Sequence, residues 1–188
     1  KYNKELVHAC YMDVTNEKDV NNAISSIIKQ FGGIDILVAN AGFASASLYE
    51  KTTTALWEKN MNVLSKGCFL ISRDVYAKMI SQKLGGSIIF IASKNAWSAS
   101  KGAAAYSVAK SSLLHLSRSI AFEGADYKIR SNIVNPDAVI KNSKIWAGKW
   151  RSERAKINKI NINKIEDFYK NRSLLKVNIV PEDIAEAV

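Results

Sequence analysis

The chain has 188 residues, 47% hydrophobic and 23% charged, the balance of one soluble globular domain with material for a substantial core. No apolar run approaches the ~20 residues that span a bilayer, and the opening KYNKELVHACYMD lacks a signal peptide's apolar core, so a membrane role is not expected and the default location is cytoplasmic. The net charge of +10 can mark a nucleic-acid or membrane-surface partner, but much of the excess sits in one lysine- and asparagine-rich stretch, KWRSERAKINKININKIEDFYKNR, better read as compositional bias than as a binding surface.

In chain order, Leu6 to Met12 is short and apolar and is followed by Asp13 and Thr15, a predicted strand ending at a turn. Val20, Ala23, Ile24, Ile27, Ile28 and Phe31 recur as the stripe of an amphipathic helix. Thr15 or Asn16 can cap its start, and Gly32-Gly33 ends it. Ile34 to Ala39 is a nearly continuous apolar strand, as expected in a parallel sheet covered on both faces. The segment 43–53, FASASLYEKTT, reads as a loop at a pocket mouth.

A long helix follows, with Trp57, Met61, Leu64, Cys68, Ile71, Val75 and Met79 spaced alternately by three and four to mark a wide buried face. The chain turns at Lys83 to Gly86 into the strand SIIFIA. After the loop KNAWSASKGAAA, a helix from about Tyr106 to Gly124 points Val108, Leu113, Leu116 and Ile120 inward, and Ile129 to Val134 is the next strand. This alternation predicts an α/β fold, a Rossmann-like doubly wound parallel sheet in a three-layer αβα arrangement. Beyond Asn135 the pattern loosens into polar helix with Trp146, Trp150 and Phe168 as aromatic anchors. The region 136–180 is expected to be a substrate lid or a helical cap on one edge of the core, the two being compatible. Pro181 opens a last helix, PEDIAEAV. Cys10, in a predicted strand, and Cys68, in a predicted helix, have no metal-ligand spacing, so buried free thiols are expected rather than a disulfide, and no metal site.

The chemistry concentrates between Gly86 and Lys110. Tyr106 and Lys110, one helical turn apart, share a face and can reach one pocket. A phenol is a poor base at neutral pH unless a nearby cation stabilises its anion, which Lys110 can do. Ser93, at the end of the preceding strand, can hold a substrate oxygen against Tyr106 if strand end and helix start meet at the sheet's carboxyl edge. Together they form an acid/base set suited to an alcohol or a carbonyl.

Ser93 followed by Tyr106-x-x-x-Lys110 resembles the hallmark of the short-chain dehydrogenase/reductase family, and three further segments agree. Asn40-Ala41-Gly42 resembles that family's Asn-Ala-Gly motif, Asp13 in YMDVT the aspartate that contacts the adenine ring, and Asn132 with Pro136 in IRSNIVNPDAV the approach to the nicotinamide-facing loop. The resemblance implies Ser93, Tyr106 and Lys110 as catalytic residues. It implies Asp13, Asn40, Ala41, Gly42, Tyr106, Lys110, Pro136 and Val139 as contacts of NAD, with NADP not excluded, and homo-oligomers through the long helices.

The family's Gly-rich turn after its first strand is absent, and the first strand here precedes Asp-Val-Thr, the pattern that follows the family's third. The expectation is a partial domain over 1–188, short of the first two strands and the last in an order of 3-2-1-4-5-6-7, and unable by itself to bind cofactor well. Leu64 stands where the family has a relay asparagine, with Asn60 and Asn62 nearby; Asp137 follows Pro136 in place of glycine, and Lys141 replaces a hydroxyl residue for which Ser143 can substitute. The segments PDAVIKNSKIWAGKWRSERA and RSLLKVNIVPEDIAEAV are similar to the dehydrogenase portion of bifunctional rhamnulose-1-phosphate aldolase/alcohol dehydrogenases, which implies lactaldehyde as substrate. The alternative is a non-catalytic dinucleotide-binding or interaction module on the same fold.

Overall fold

The computed structural model describes residues 4–188. Three parallel strands, β1 (Ile36–Ala39), β2 (Gly86–Ile91) and β3 (Ile129–Val134), lie side by side in chain order. Leu37 pairs with Ile88 and Ala39 with Phe90, while Ile129, Ser131 and Ile133 pair with Gly86, Ile88 and Phe90. Parallel neighbours require crossover helices, and helices link each pair here.

Helix α1 (Glu17–Phe31) begins where Asn16 accepts the amides of Lys18 and Asp19, so Asn16 rather than Thr15 is the cap. It stops at Gly32, whose φ of 85° suits a residue without a Cβ. The expected long helix is three pieces: α2 (Thr54–Asn60), a π turn (Met61–Lys66) and α3 (Gly67–Gln82). The wider π turn breaks the three-and-four spacing. Leu64, Cys68, Val75 and Met79 still reach the core, but Trp57 at the start of the stripe is left partly exposed.

Helix α4 (Ala104–Gly124) buries Tyr106, Ala109, Lys110, Leu113 and Ser117. Val108, expected to point inward, is instead exposed, because it lies off the stripe that runs from Tyr106 through Ala109 and Leu113. Leu116 and Ile120 pack against the core from half-buried positions.

Helices α1, α3 and α4 lie on one face of the sheet. Leu37, Ala39, Ile88, Phe90 and Ile129 form the main core with Val20 and Ile24 of α1, Val75 and Met79 of α3, and Leu113 of α4. Ser117 of α4 hydrogen-bonds Ser131 of β3 at 2.9 Å on that face. On the other, Ile36 is 63% and Val38 41% exposed, so β1 is not covered on both sides as its apolar run suggested. The described residues thus contribute the sheet and one helical layer of a doubly wound α/β fold.

The strand expected at Leu6–Met12 does not form. Residues 4–6 make a 3-10 turn and 7–12 carry no regular structure, with Leu6, Val7 and Tyr11 exposed. A strand is stable only beside a partner that takes up its backbone groups, and no described strand lies next to this segment. Cys10 is therefore exposed, against expectation, while Cys68 is the buried free thiol.

Beyond β3 come α5 (Lys144–Ala147), α6 (Lys149–Asn158), α7 (Ile165–Arg172) and α8 (Pro181–Ala187). Trp146, Trp150, Ala155, Ile165 and Tyr169 make a second core with Ala103, and Phe168 packs against its edge. These helices form a compact cap, and Asp183 opens α8 by accepting the Val180 amide at 2.8 Å.

Two glycines separate steric from torsional strain. Gly85 has φ 79° and a Cβ there would lie 2.7 Å from the Lys128 carbonyl oxygen, whereas Gly32, at φ 85°, has open space around it. Gly32→Ala is expected to cost about 1 kcal/mol from the left-handed backbone alone, and Gly85→Ala distinctly more, read as midpoints of urea unfolding of the intact protein.

Candidate active site

Because the strands are parallel, their carboxyl ends share one edge, where open α/β sheets bind ligands. Asn40 follows β1, Ser93 lies just past β2, and Pro136 just past β3. The Ala92 amide donates to the Val134 carbonyl at 2.9 Å and the Lys94 amide to the Pro136 carbonyl at 2.8 Å, binding these loops together. Ser93 caps a 3-10 turn, its Oγ accepting the Asn95 amide at 3.1 Å. Asn135 braces the same turn, its amide nitrogen donating to the Ser93 carbonyl and its oxygen accepting from Trp97 Nε1, each at 3.1 Å.

Helix α4 brings its first two turns to this edge. Tyr106 is 9% exposed, packed with Leu64 and Ala109 and tilted against Trp150 with ring centroids 5.8 Å apart. Lys110, buried, donates from Nζ to the Ile91 carbonyl oxygen at 2.6 Å. Burial pushes the Tyr106 phenol above its ordinary value, and a hydrogen bond with the Ser93 side chain pulls it partly back. Burial pulls the Lys110 ammonium down, with Cys68 acting the other way. Ser93 thus lowers the phenol against the burial that raises it, while the Lys110 ammonium, one helical turn away, is held on the Ile91 carbonyl.

A cavity of about 570 Å³ gathers Asn40, Gly42, Ser93, Tyr106, Lys110 and Pro136, with Val139 on its wall. Gly42 keeps backbone open beside the lysine: a Cβ there would sit 3.1 Å from Leu64 Cδ2 and 3.9 Å from Lys110 Nζ. Ser143 also reaches the cavity, while Lys141 is exposed. Ala41 and Asn40 line a smaller neighbouring cavity of about 130 Å³ with Met12 and Val14. Asp13 is on neither wall. It is exposed at the turn before α1, its Oδ1 accepting the Thr15 amide at 2.9 Å and hydroxyl at 2.8 Å, bonds that hold its carboxyl below the usual value. Asn132 lies on the open sheet face and is exposed.

Neither asparagine near Leu64 takes its place in the cavity. Asn60 is buried against Ser45 and the Leu56 carbonyl, and Asn62 is exposed. Leu64 itself packs on Tyr106.

Sequence reasoning missed Lys94, Arg154 and Arg172, which line the same cavity. The available signal was the one-turn spacing of Trp150 and Arg154 on α6, where a helix puts a guanidinium over an indole; the two lie 5.2 Å apart.

A model of the family described as short chain dehydrogenase matches residues 1–152. An uncharacterized oxidoreductase, YuxG, of Bacillus subtilis is 46% identical over 187 residues, covering 100% of this chain and 27% of the relative. The chain thus spans about a quarter of that relative's length. The crystal structure of sorbitol-6-phosphate 2-dehydrogenase from Erwinia amylovora superposes with a TM-score of 0.92 at 26% identity, covering 98% of this chain and 71% of that one. The structure of ElxO with NADP bound superposes with a TM-score of 0.79 at 26% identity, covering 94% of this chain and 66% of that one.

The Ser93 contact makes a spectroscopic prediction. Ser93→Ala is expected to raise the Tyr106 phenol further, seen in ultraviolet titration as a phenolate band appearing at higher pH than in the unsubstituted protein, with Tyr106→Phe identifying the band.

Proposed function

The chain belongs to the short-chain dehydrogenase family, and we propose that it is the catalytic part of an oxidoreductase that moves a hydride between NAD(P) and an alcohol or aldehyde. The observation that carries this is the meeting of Ser93, Tyr106 and Lys110 in one cavity at the carboxyl edge of a parallel sheet. The residues around it suit the nicotinamide end of such a cofactor, since Gly42 leaves backbone uncovered beside Lys110. Asn40, Gly42, Lys110, Pro136 and Val139 would hold that end, with Asp13 and Ala41 toward the adenine end. NAD is the proposed form, and the relative ElxO was solved with NADP. When bound, the cofactor supplies or accepts the hydride.

The chain's own groups manage the proton. The Ser93 hydroxyl, which lowers the buried Tyr106 phenol, lines the same cavity as that phenol, and the two would share a substrate oxygen. Burial keeps the phenol protonated at neutral pH, which suits it to donate to a carbonyl during reduction. In oxidation it takes the proton from the alcohol, helped by the Lys110 ammonium behind it. The packing of Leu64, Trp150 and Ala109 around the ring keeps water from it. A non-catalytic module on this fold would have no need of all three groups.

Lactaldehyde is the finer substrate reading, supported by the likeness of the segments after Pro136 and by a relative much longer than this chain, as a fused aldolase would be. The segment 136–180 is proposed as the substrate cap, since α5 and α6 carry Trp146, Trp150 and Arg154 to the cavity and α7 carries Tyr169 and Arg172. Exposed Trp57 and Phe69 on α2 and α3 support association through the long helices. Among the described residues no helix is long and apolar enough to cross a membrane, and a cytoplasmic location is proposed.

Tyr106→Phe in the intact enzyme is expected to lower turnover by about 10²- to 10⁴-fold while leaving nucleotide affinity close to the parent's; near-normal turnover would overturn the assignment. Reduction, followed as kcat/KM, is expected to fall as pH rises through the phenol's value. Because burial raises that value, the falling limb should lie above the ordinary ~10 of tyrosine.

A further inference from the structure

Among the described residues on the cavity wall are four cations, Lys94, Lys110, Arg154 and Arg172, and one carboxylate, Asp137. Lys110 belongs to the proton-transfer set; the other three have no place in it. Arg154 is the most unusual of them. It is 3% exposed, and its partners are neutral: Nε donates to the Tyr169 hydroxyl at 3.0 Å, Nη1 donates to the Lys101 carbonyl at 2.5 Å, and the guanidinium lies over Trp150. Nη2 has no hydrogen-bond partner among the described residues. Arg73 and Arg151, by contrast, meet carboxylates at the surface.

A buried cation is costly unless an anion accompanies it. The surroundings add to that cost. Burial and then the Arg172 charge pull the Lys94 ammonium down, Asp137 opposes them, and Arg154 pulls it down further. Lys94 holds only a long contact to Ser100 Oγ, at 3.5 Å, and Arg172 stacks on Phe168 and Tyr169. Latches joining α6 to the loop at Lys101 and to Tyr169 of α7 explain two donors of Arg154. They do not explain three mutually repelling cations on the wall of a ligand cavity.

We propose that Arg154, with Lys94 and Arg172 beside it, binds an anionic group on the substrate, a carboxylate or a phosphate, and restricts the reaction to acidic alcohols and carbonyls. Guanidinium presents paired donors to either anion. The Trp150 ring contacts both, its centroid 5.8 Å from that of Tyr106 and 5.2 Å from the Arg154 guanidinium, so a short carbon chain can join the reacting carbon to the anion. Neutral lactaldehyde would fill the catalytic end and leave these cations unpaired. This inference rests on the hydride-transfer reading of the same cavity and replaces lactaldehyde, the finer substrate reading above, with an acidic alcohol or carbonyl.

The test compares matched pairs on the intact enzyme with cofactor: 4-oxobutanoate against butanal, and glyceraldehyde 3-phosphate against glyceraldehyde. The acidic member of at least one pair is expected to have a kcat/KM about tenfold or more higher, and which pair responds tells carboxylate from phosphate. Arg154→Gln should collapse that ratio, Arg154→Lys should restore part of it, and Arg172→Gln should lower it in the same direction should the first variant fail to fold. Equal use of both members, an unchanged ratio in the folded variants, or a loss of nucleotide affinity in Arg154→Gln that matches the loss of turnover would each overturn the proposal. A separate readout needs no turnover: inorganic phosphate or succinate should raise the melting temperature of the parent and not of Arg172→Gln. Absence of any turnover with that shift present would sink the hydride-transfer reading and leave the anion site standing; absence of the shift as well would sink both.

Discussion

The hydrogen bond from Lys110 to the carbonyl of Ile91, 2.6 Å long, fixes where the helix α4 meets the strand β2, and the site depends on that junction. A buried ammonium must find acceptors, and the last residue of β2 offers one. With Lys110 held there, Tyr106 is set one turn earlier, over the strand end that carries Ser93. The loops around it are tied down by backbone bonds from Ala92 to Val134, the last residue of β3, and from Lys94 to Pro136, so the ends of β2 and β3 act as one edge.

The same geometry explains the burial pattern of the sheet. With α1, α3 and α4 all on one face, Leu37, Ala39, Ile88 and Phe90 pack tightly while Ile36 and Val38 on the other face stay open. The active edge needs only the covered face for support, because both α4 and the π turn before α3 approach from that side. Leu64, in the π turn, closes the back of Tyr106, so the irregular turn lies beside the chemistry, as such turns often do.

The cap after β3 contributes a different kind of order. Its core is aromatic and encloses a guanidinium instead of excluding it, so the end of the cavity away from the lysine is built for charge as much as for shape. Trp150 belongs to both halves, touching the phenol and the cation.

Much of this was legible in residue order. Local rules placed α1 and its cap, the strand β3, and Tyr106 and Lys110 on one helical face, because hydrogen-bond spacing and side-chain period depend only on near neighbours. Composition found the capping segment and its tryptophans. Other features needed the whole fold. Leu6–Met12 has a strand's composition but no partner to pair with; Val108 looked inward until the face of Tyr106 set the helix's rotation; and Lys110 acquired its partner from a strand 19 residues earlier. Arg154 and Lys94 lie far apart in the chain and could be seen as one charged wall only once α6 was folded against the strand edge. The sequence by itself determined that Tyr106 and Lys110 share one helical face and that strands and helices alternate in a parallel α/β pattern, since these rest on short-range spacing. Tertiary structure alone decided which faces are covered and which charges meet, since burial and Coulomb forces depend on distance in space and not along the chain.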